Sequence, residues 1–182
     1  PDFSINQLLK DKIPEYPLKI IMIGALIWRK GYDYALLGVK KVKELGLDVT
    51  LNIVGEGKDR ARITYMLNEL DIVNEVDLLG RKNPAEVKQY LQGSHVLLHT
   101  SLCEAFFMPR AAAMACGLTV ITTSAGGIDE VIEDGENGLF MPSRDPDAVA
   151  FRIAEVYGNA QLRSKLGKKA REDVIKKHTL TQ

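Results

Sequence analysis

The chain has 182 residues and carries 24 basic and 24 acidic side chains, so its formal net charge is zero. This length suffices for one domain with a sizeable core. The neutral balance argues against bulk electrostatic binding to nucleic acid or to an anionic membrane. No stretch approaches the roughly 20 apolar residues of a membrane-spanning helix, and the first residues lack the basic-then-apolar order of a signal peptide.

Two cysteines and three histidines bear on redox and metal chemistry. Cys103 and Cys116 are too few for a disulfide framework, and both stand among apolar or small residues, which predicts buried free thiols. A reducing, cytoplasmic setting follows. The histidines are scattered and predict no metal site; His95, at the start of a strand pattern, is interpreted as structural.

Short apolar runs alternate with helical patterns along the whole chain. The runs predict strands at 18–26, 48–57, 75–80, 95–101, 118–124 and 137–142. The helical patterns predict helices at 31–45, 58–70, 83–91, 107–117, 127–134, 145–159 and 160–178. Asn83 and Asp145, each followed by proline, are predicted helix caps.

Strands that alternate with helices imply parallel pairing through right-handed crossovers. The predicted fold class is therefore α/β, a doubly wound, Rossmann-like parallel sheet. Ligands in such folds lie beyond the carboxyl ends of the strands, near the point where the strand order reverses. The candidate site segments are 24–31, 55–58, 80–83, 100–108 and 124–128.

Three stretches resemble one protein family. "IMIGALIWRKGYDYAL" resembles the opening glycine loop, with its lysine–glycine pair, of the donor domain of family-4, GT-B glycosyltransferases (glycosyl transferases group 1). "LNIVGEGKDRARI" resembles the next strand and helix of that domain. The stretch from Ser101 to Ala150 is similar to its longest signature, in order and without gaps. The resemblance runs from about Lys19 to the last helix.

The resemblance implies one half of a GT-B fold, the C-terminal half that binds the activated donor. Residues 1–17 are then a linker remnant and residues 18–182 a nucleotide-sugar-binding domain, with the N-terminal acceptor domain absent from the chain. The implied activity is retaining transfer from a nucleotide diphosphate sugar to an acceptor, in polysaccharide or glycoconjugate synthesis. The resemblance implies no metal and no cofactor besides the donor. Any peripheral membrane contact would be made by the absent half.

Two catalytic residues follow from the resemblance. Lys30 matches the lysine that contacts the diphosphate, and Glu104 matches the first glutamate of an E-x7-E motif, which meets hydroxyls of the donor sugar. Negative charge grows on the diphosphate during transfer, so a fixed cation beside a helix amino end suits this role; taken alone, Lys30 would read as a solvated lysine. The further donor-binding residues implied are Gly24, Arg29, Gly31, Gly55, Gly57, Arg81, Ala105, Phe106, Phe107, Met108, Ala112, Gly126 and Gly127.

Two positions depart from the pattern. Ala25 stands where the family has a second cation, and Ala112 stands where it has the glutamate that holds the ribose. Loss of a charged hydrogen bond of about 1.5–3 kcal/mol predicts donor binding weakened about ten- to a hundredfold. A non-catalytic domain with a degenerate site, acting as a binding or partner module, is therefore the alternative. A sugar-nucleotide epimerase of GT-B fold fits the motif series less well.

Overall fold

Six strands form one parallel sheet in the order β3-β2-β1-β4-β5-β6 within the part of the chain that the structure describes. The computed structural model describes residues 17–103, 108–124 and 131–179. The strands are β1 (Leu18–Ile23), β2 (Val49–Val54), β3 (Val76–Gly80), β4 (Val96–His99), β5 (Thr119–Thr123) and β6 (Leu139–Met141). This order confirms the doubly wound α/β prediction and puts the reversal of strand order between β1 and β4.

Six α-helices in the described ranges connect and cover these strands. They are α1 (Tyr32–Glu44), α2 (Arg60–Glu69), α3 (Pro84–Gln92), α4 (Met108–Ala115), α5 (Pro146–Val156) and α6 (Ala160–Thr179). Both predicted caps are confirmed. The Asn83 side chain accepts from the Glu86 amide at 3.0 Å, and that of Asp145 accepts from the Ala148 amide at 3.0 Å. These bonds satisfy amides that the first helical turn leaves without partners.

Alternate side chains of β1 belong to two different cores, one on each face of the sheet. Ile20 and Met22 join the core built with α1, α2 and α5, whereas Ile21 joins the core built with α3, α4 and α6. A strand that is covered on both faces needs apolar residues at successive positions, which is why "LKIIMI" contains a continuous apolar run.

The predicted helix at 127–134 is wrong where it can be tested. Residues 127–130 lie outside the described part of the chain, and 131–134 form a turn and an isolated bridge between Asp134 and Gly138. The Asn137 side chain accepts from the Glu133 amide at 2.8 Å and donates to the Val131 carbonyl at 3.0 Å. The Glu133 amide and the Val131 carbonyl therefore form hydrogen bonds with a side chain instead of with the backbone of a helix.

The prediction for the cysteines is half right. Cys103 and Cys116 are both free, but Cys103 is exposed and Cys116 is half-buried. Cys103 lies four residues after the end of β4, in the loop at the carboxyl ends of the strands. Apolar or small neighbours in the sequence do not imply that a residue in such a loop is buried. Across the described ranges, no helix is both long and apolar enough to cross a membrane.

Candidate functional site

The loop after β1 carries Lys30 to the carboxyl edge of the sheet. A single 3₁₀ turn, Trp28–Lys30, is followed by Gly31, which has a φ of 67°. Gly31 immediately precedes the first residue of α1. A Cβ on Gly31 would stand 2.2 Å from the Thr100 carbonyl oxygen, so only glycine fits at this position. The Thr100 hydroxyl lies 2.9 Å from the Lys30 carbonyl and 3.0 Å from that of Gly31, and so ties the loop to the end of β4.

The side chain of Lys30 packs over the backbone of Gly24. A Cβ on Gly24 would be 3.4 Å from Lys30 Cε and 3.6 Å from the Tyr32 hydroxyl. The Tyr32 hydroxyl donates to the Gly24 carbonyl at 3.0 Å, and burial raises the pKa of Tyr32. Burial thus favours the protonated phenol, which holds the end of β1 by this hydrogen bond.

Gly55 and Gly57 let two loops meet. A Cβ on Gly55 would be 1.9 Å from the Gly24 carbonyl oxygen, and one on Gly57 would be 2.3 Å from the Leu26 carbonyl oxygen. The Leu26 amide donates to the Glu56 carbonyl at 2.9 Å, which joins the loops after β1 and β2. Close packing of the two loops thus explains why both positions are glycine. Their contact with a nucleotide stays a prediction.

Arg29 and Ala25 present their side chains to solvent. The Arg29 carbonyl accepts from the Leu102 amide at 2.8 Å, which makes a second tie between this loop and the chain after β4. The main chain of Arg29 is therefore fixed, while its guanidinium is exposed. Its contact with a phosphate remains a prediction.

A cleft of about 750 Å³ separates α3 from α4. Its walls are largely apolar and include Ile23 at the end of β1 together with Val87, Met108 and Ala112. The helical positions of Met108 and Ala112, four residues apart, put both on the same face of α4. Two residues that the resemblance assigns to the donor therefore line one cleft, which opens beside the end of β1.

Lys82 is a residue of this cleft that the sequence analysis missed. Arg81, the predicted contact, is exposed and does not line the cleft, whereas Lys82 does. The Lys82 ammonium lies 3.7 Å from the Glu86 carboxylate and 5.8 Å from the centre of the Tyr90 ring. Its place just before Asn83, the cap of α3, carried no signal of a cleft, because the cleft results from how α3 and α4 pack.

A second missed residue is Arg110, in the first turn of α4. Its side chain is only 2% exposed, and its Nη1 lies 3.1 Å from His99 Nδ1 and 3.3 Å from His99 Nε2. His99 is the last residue of β4, and its Nδ1 is also 3.2 Å from the Thr122 hydroxyl. Helical spacing puts Arg110 on the same buried face as Ala113 and Met114, so the sequence carried a signal for its burial.

Several predicted site residues lie outside the described residues. They are Glu104, Ala105, Phe106, Phe107, Gly126 and Gly127. Their roles stay predictions from the resemblance. Apart from Arg81, which lies in neither place, the structure puts the remaining predicted residues in the loops after β1 and β2 and in the cleft between α3 and α4.

A parallel sheet in the order 3-2-1-4-5-6, with glycine loops at its reversal point, defines a Rossmann-like α/β domain. The sequence profile described as "Glycosyl transferases group 1" matches residues 6–173. The chain belongs to this family of glycosyltransferases.

Curated relatives carry glycosyltransferase names or sugar-transfer names. The chain is 30% identical over 152 residues to an uncharacterized glycosyltransferase of Methanocaldococcus jannaschii, which covers 84% of this chain and 42% of that protein. It is 33% identical over 128 residues to the N-acetyl-alpha-D-glucosaminyl L-malate synthase of Bacillus anthracis. This match covers 70% of this chain and 33% of that protein. The chain thus spans less than half the length of these relatives.

Solved structures share the fold. The C-terminal domain of a group 1 glycosyl transferase from Francisella tularensis superposes with a TM-score of 0.81 at 22% identity, covering 98% of this chain and 94% of that one. An Anabaena protein, HepE, in complex with UDP and glucose, superposes with a TM-score of 0.80 at 21% identity, covering 91% of this chain and 48% of that one.

Proposed function

We propose that this chain is the donor-binding domain of a retaining glycosyltransferase and that it binds a nucleotide diphosphate sugar at the carboxyl ends of β1 and β4. The observation that carries the proposal is the fixed placement of Lys30, folded over Gly24 immediately before α1. An ammonium beside a helix amino end is suited to a diphosphate. The Thr100 hydroxyl and the Leu102 amide fix the loop in advance, so little ordering accompanies binding.

The cleft between α3 and α4 is the proposed place for the nucleoside. Its largely apolar walls suit a base, and Lys82 in its lining suits polar atoms of the ribose or a phosphate. Ala112 lines this cleft without a carboxylate. The ribose hydroxyls therefore lack the charged acceptor that the resemblance implies, and we expect weak but selective binding.

The proposed chemistry assigns one task to each charged group. Lys30 and the amino end of α1 stabilise the charge that develops on the leaving diphosphate, while Glu104 accepts hydrogen bonds from the donor sugar. Transfer also needs an acceptor held against the anomeric carbon, which the resemblance assigns to the other half of the GT-B fold. We therefore propose donor binding without transfer by this chain alone, and a role in polysaccharide or glycoconjugate synthesis for the enzyme that contains it.

The competing proposal is a binding module with a degenerate donor site. Alanine at positions 25 and 112 favours it, because each replaces a charged group that the resemblance implies. The exposed free thiol of Cys103 fits a reducing, cytoplasmic location under either proposal.

Titration calorimetry of this chain with UDP-glucose, GDP-glucose and ADP-glucose separates the two proposals. Saturable binding of one donor, at micromolar to millimolar concentration, supports the donor site and identifies the base. Absence of binding by a folded chain at millimolar donor supports the degenerate site. Sugar transfer to an offered acceptor by the purified chain would contradict the expectation that the acceptor half is required.

A further inference from the structure

An open groove of about 400 Å³ lies where the loops after β1 and β2 meet. Its walls are formed by Ile27, Trp28, Arg29 and Lys58. This volume falls within the roughly 300–1,000 Å³ that is usual for small-molecule sites. Trp28 is 58% exposed and belongs to neither of the two cores, so burial in the fold does not explain an indole at this position. The groove therefore presents an aromatic ring and two cations to solvent at the carboxyl edge of the sheet.

Backbone hydrogen bonds fix the walls of this groove. The Leu26 amide donates to the Glu56 carbonyl at 2.9 Å, and the Leu26 carbonyl accepts from the Asp59 amide at 3.0 Å. These bonds hold the chain just before the first wall against the chain on both sides of the second. The Arg29 carbonyl accepts from the Leu102 amide at 2.8 Å. The main chain of the groove is therefore ordered in advance, which lowers the cost of binding a ligand there.

The two cations of the groove have no carboxylate partner. Arg29 and Lys58 are exposed and form no side-chain hydrogen bond or ion pair with the residues that the structure describes. The acidic residues nearest to Lys58 in the sequence are already paired with arginines of α2. Glu56 lies 3.0 Å from Arg60, and Asp59 lies 3.4 Å from a second arginine of that helix. The groove thus keeps two positive charges available for an anionic ligand.

We propose that this groove binds an acidic sugar of the acceptor, with Trp28 against the sugar ring and Arg29 and Lys58 on its carboxylate or phosphate. An indole offers a large apolar surface to the C–H face of a sugar, and both cations donate charge-assisted hydrogen bonds to an anionic oxygen. Two cations are few for an anionic membrane, where clusters of about 4–8 are typical.

The assignment of this ligand to the acceptor rests on the proposed function. Arg29 directly precedes Lys30, the proposed contact of the donor diphosphate, so a ligand in the groove lies beside the donor and at the same edge of the sheet. The Arg29 guanidinium then serves the acceptor instead of the donor diphosphate. The donor half would in this way select acceptors by charge, in addition to the contacts made by the other half of the enzyme.

The groove contains its own reporter, because Trp28 is the only tryptophan in the chain. Intrinsic fluorescence is titrated with tetragalacturonate, which carries carboxylates, and with glucose 6-phosphate, which carries a phosphate. Maltotetraose is the neutral sugar control, and citrate is the acid without a sugar ring. Lys58→Gln and the double variant Arg29→Gln/Lys58→Gln remove charge and keep the reporter. Lys168→Gln is the matched control, because Lys168 is an exposed lysine on α6.

We expect at least one of the two acidic sugars to change the fluorescence saturably, with an affinity at least about tenfold higher than that of maltotetraose or citrate. Lys58→Gln should weaken this ligand about threefold to fivefold, and the double variant about tenfold, because each exposed ion pair contributes modestly. The affinity should fall as salt is added. Lys168→Gln should bind like the wild type.

Three results overturn the inference: no saturable response to either acidic sugar, equal affinity for citrate or maltotetraose, and wild-type affinity in the double variant. The titration is then repeated with the nucleotide sugar that binds in calorimetry. Unchanged or tighter binding supports an acceptor site, whereas displacement of the acidic sugar assigns the groove to the donor and overturns the inference. If no nucleotide sugar binds, the proposed function fails, and the fluorescence titration still decides whether the groove binds an acidic sugar.

Discussion

The Lys30 side chain lies over the backbone of Gly24, so that a Cβ on Gly24 would be 3.4 Å from Lys30 Cε. The same glycine accepts the hydroxyl hydrogen of Tyr32 at 3.0 Å. The residue that follows β1 therefore holds a residue of α1 and supports the side chain of the predicted phosphate contact. The position of the ammonium thus depends on the sheet itself and not on the loop alone.

Replacement of Lys30 should affect donor binding far more than replacement of its neighbour. We expect Lys30→Ala to weaken binding of the nucleotide diphosphate about ten- to a hundredfold, because a charged hydrogen bond to phosphate contributes about 1.5–3 kcal/mol. Arg29→Ala, which removes an exposed cation of equal charge from the adjacent position, should weaken binding less than Lys30→Ala, because solvent screens the interactions of an exposed guanidinium. Titration calorimetry measures both. A larger loss in Arg29→Ala would place the phosphate at Arg29 instead.

The glycine that joins the first two loops should tolerate no side chain. Gly55 has φ of 151°, and its Cβ would overlap the Gly24 carbonyl oxygen at 1.9 Å. We expect Gly55→Ala to lower the free energy of unfolding by about 3 kcal/mol or more, since both strain and overlap with backbone are involved. Gly93→Ala is the control, because Gly93 has φ of −85° and its Cβ would come no closer than 3.4 Å to other atoms.

Chemical denaturation with urea measures both glycine variants. Gly93→Ala should leave stability within about 1 kcal/mol of the wild type. An equally small effect of Gly55→Ala would mean that the loops after β1 and β2 do not meet as the structure describes.

A carboxylate at position 112 should restore a missing donor contact. Ala112 is half-buried in the cleft between α3 and α4, where a glutamate side chain could accept hydrogen bonds from ribose hydroxyls. We expect Ala112→Glu to tighten nucleotide-sugar binding about tenfold. Ala115→Glu adds the same charge three residues further along the same wall of the cleft, at an exposed position, and should not. Equal affinities in the wild type and Ala112→Glu would indicate that the nucleoside does not bind in this cleft.

The fold class and the places of the strands follow largely from local sequence patterns. Continuous apolar runs such as "LKIIMI" predict strands buried on both faces, and their alternation with helices leaves few parallel topologies. The loop glycines mark the carboxyl edge because close approaches there, as at Gly31 against Thr100, permit no Cβ. Apolar runs and loop glycines can both be recognised in the local sequence.

Some polar side-chain contacts could not be predicted in the same way. The His99–Arg110 pair depends on how α4 lies against β4, and the capture of the Val131–Glu133 backbone by Asn137 depends on a turn closed by a residue four positions away. Neither contact has a characteristic spacing or composition. The cleft beside Lys82 has the same origin, because it results from how α3 and α4 are separated when both pack on the sheet.

His95 should make the stability of the fold depend on pH. Its Nδ1 accepts from the Lys19 amide at 3.1 Å, and its pKa is lowered from 6.5 by burial first and then by the charges of Arg163 and Lys19. The unfolded chain therefore binds more protons than the folded chain between pH 6.5 and the lower folded pKa. Stability is fully present above pH 6.5 and is lost as the pH falls through the folded pKa.

His95→Asn isolates this effect, because the amide oxygen can accept from the Lys19 amide and does not titrate. We expect the urea midpoint of the wild type to fall further than that of His95→Asn when the pH is lowered from about 7.5 to 5.5, a range that spans the ordinary histidine pKa. At the higher pH the two midpoints should be similar, since His95 is neutral there in both the folded and unfolded states. A parallel pH dependence of the two proteins would show that His95 titrates normally, and would assign acid destabilisation to other groups.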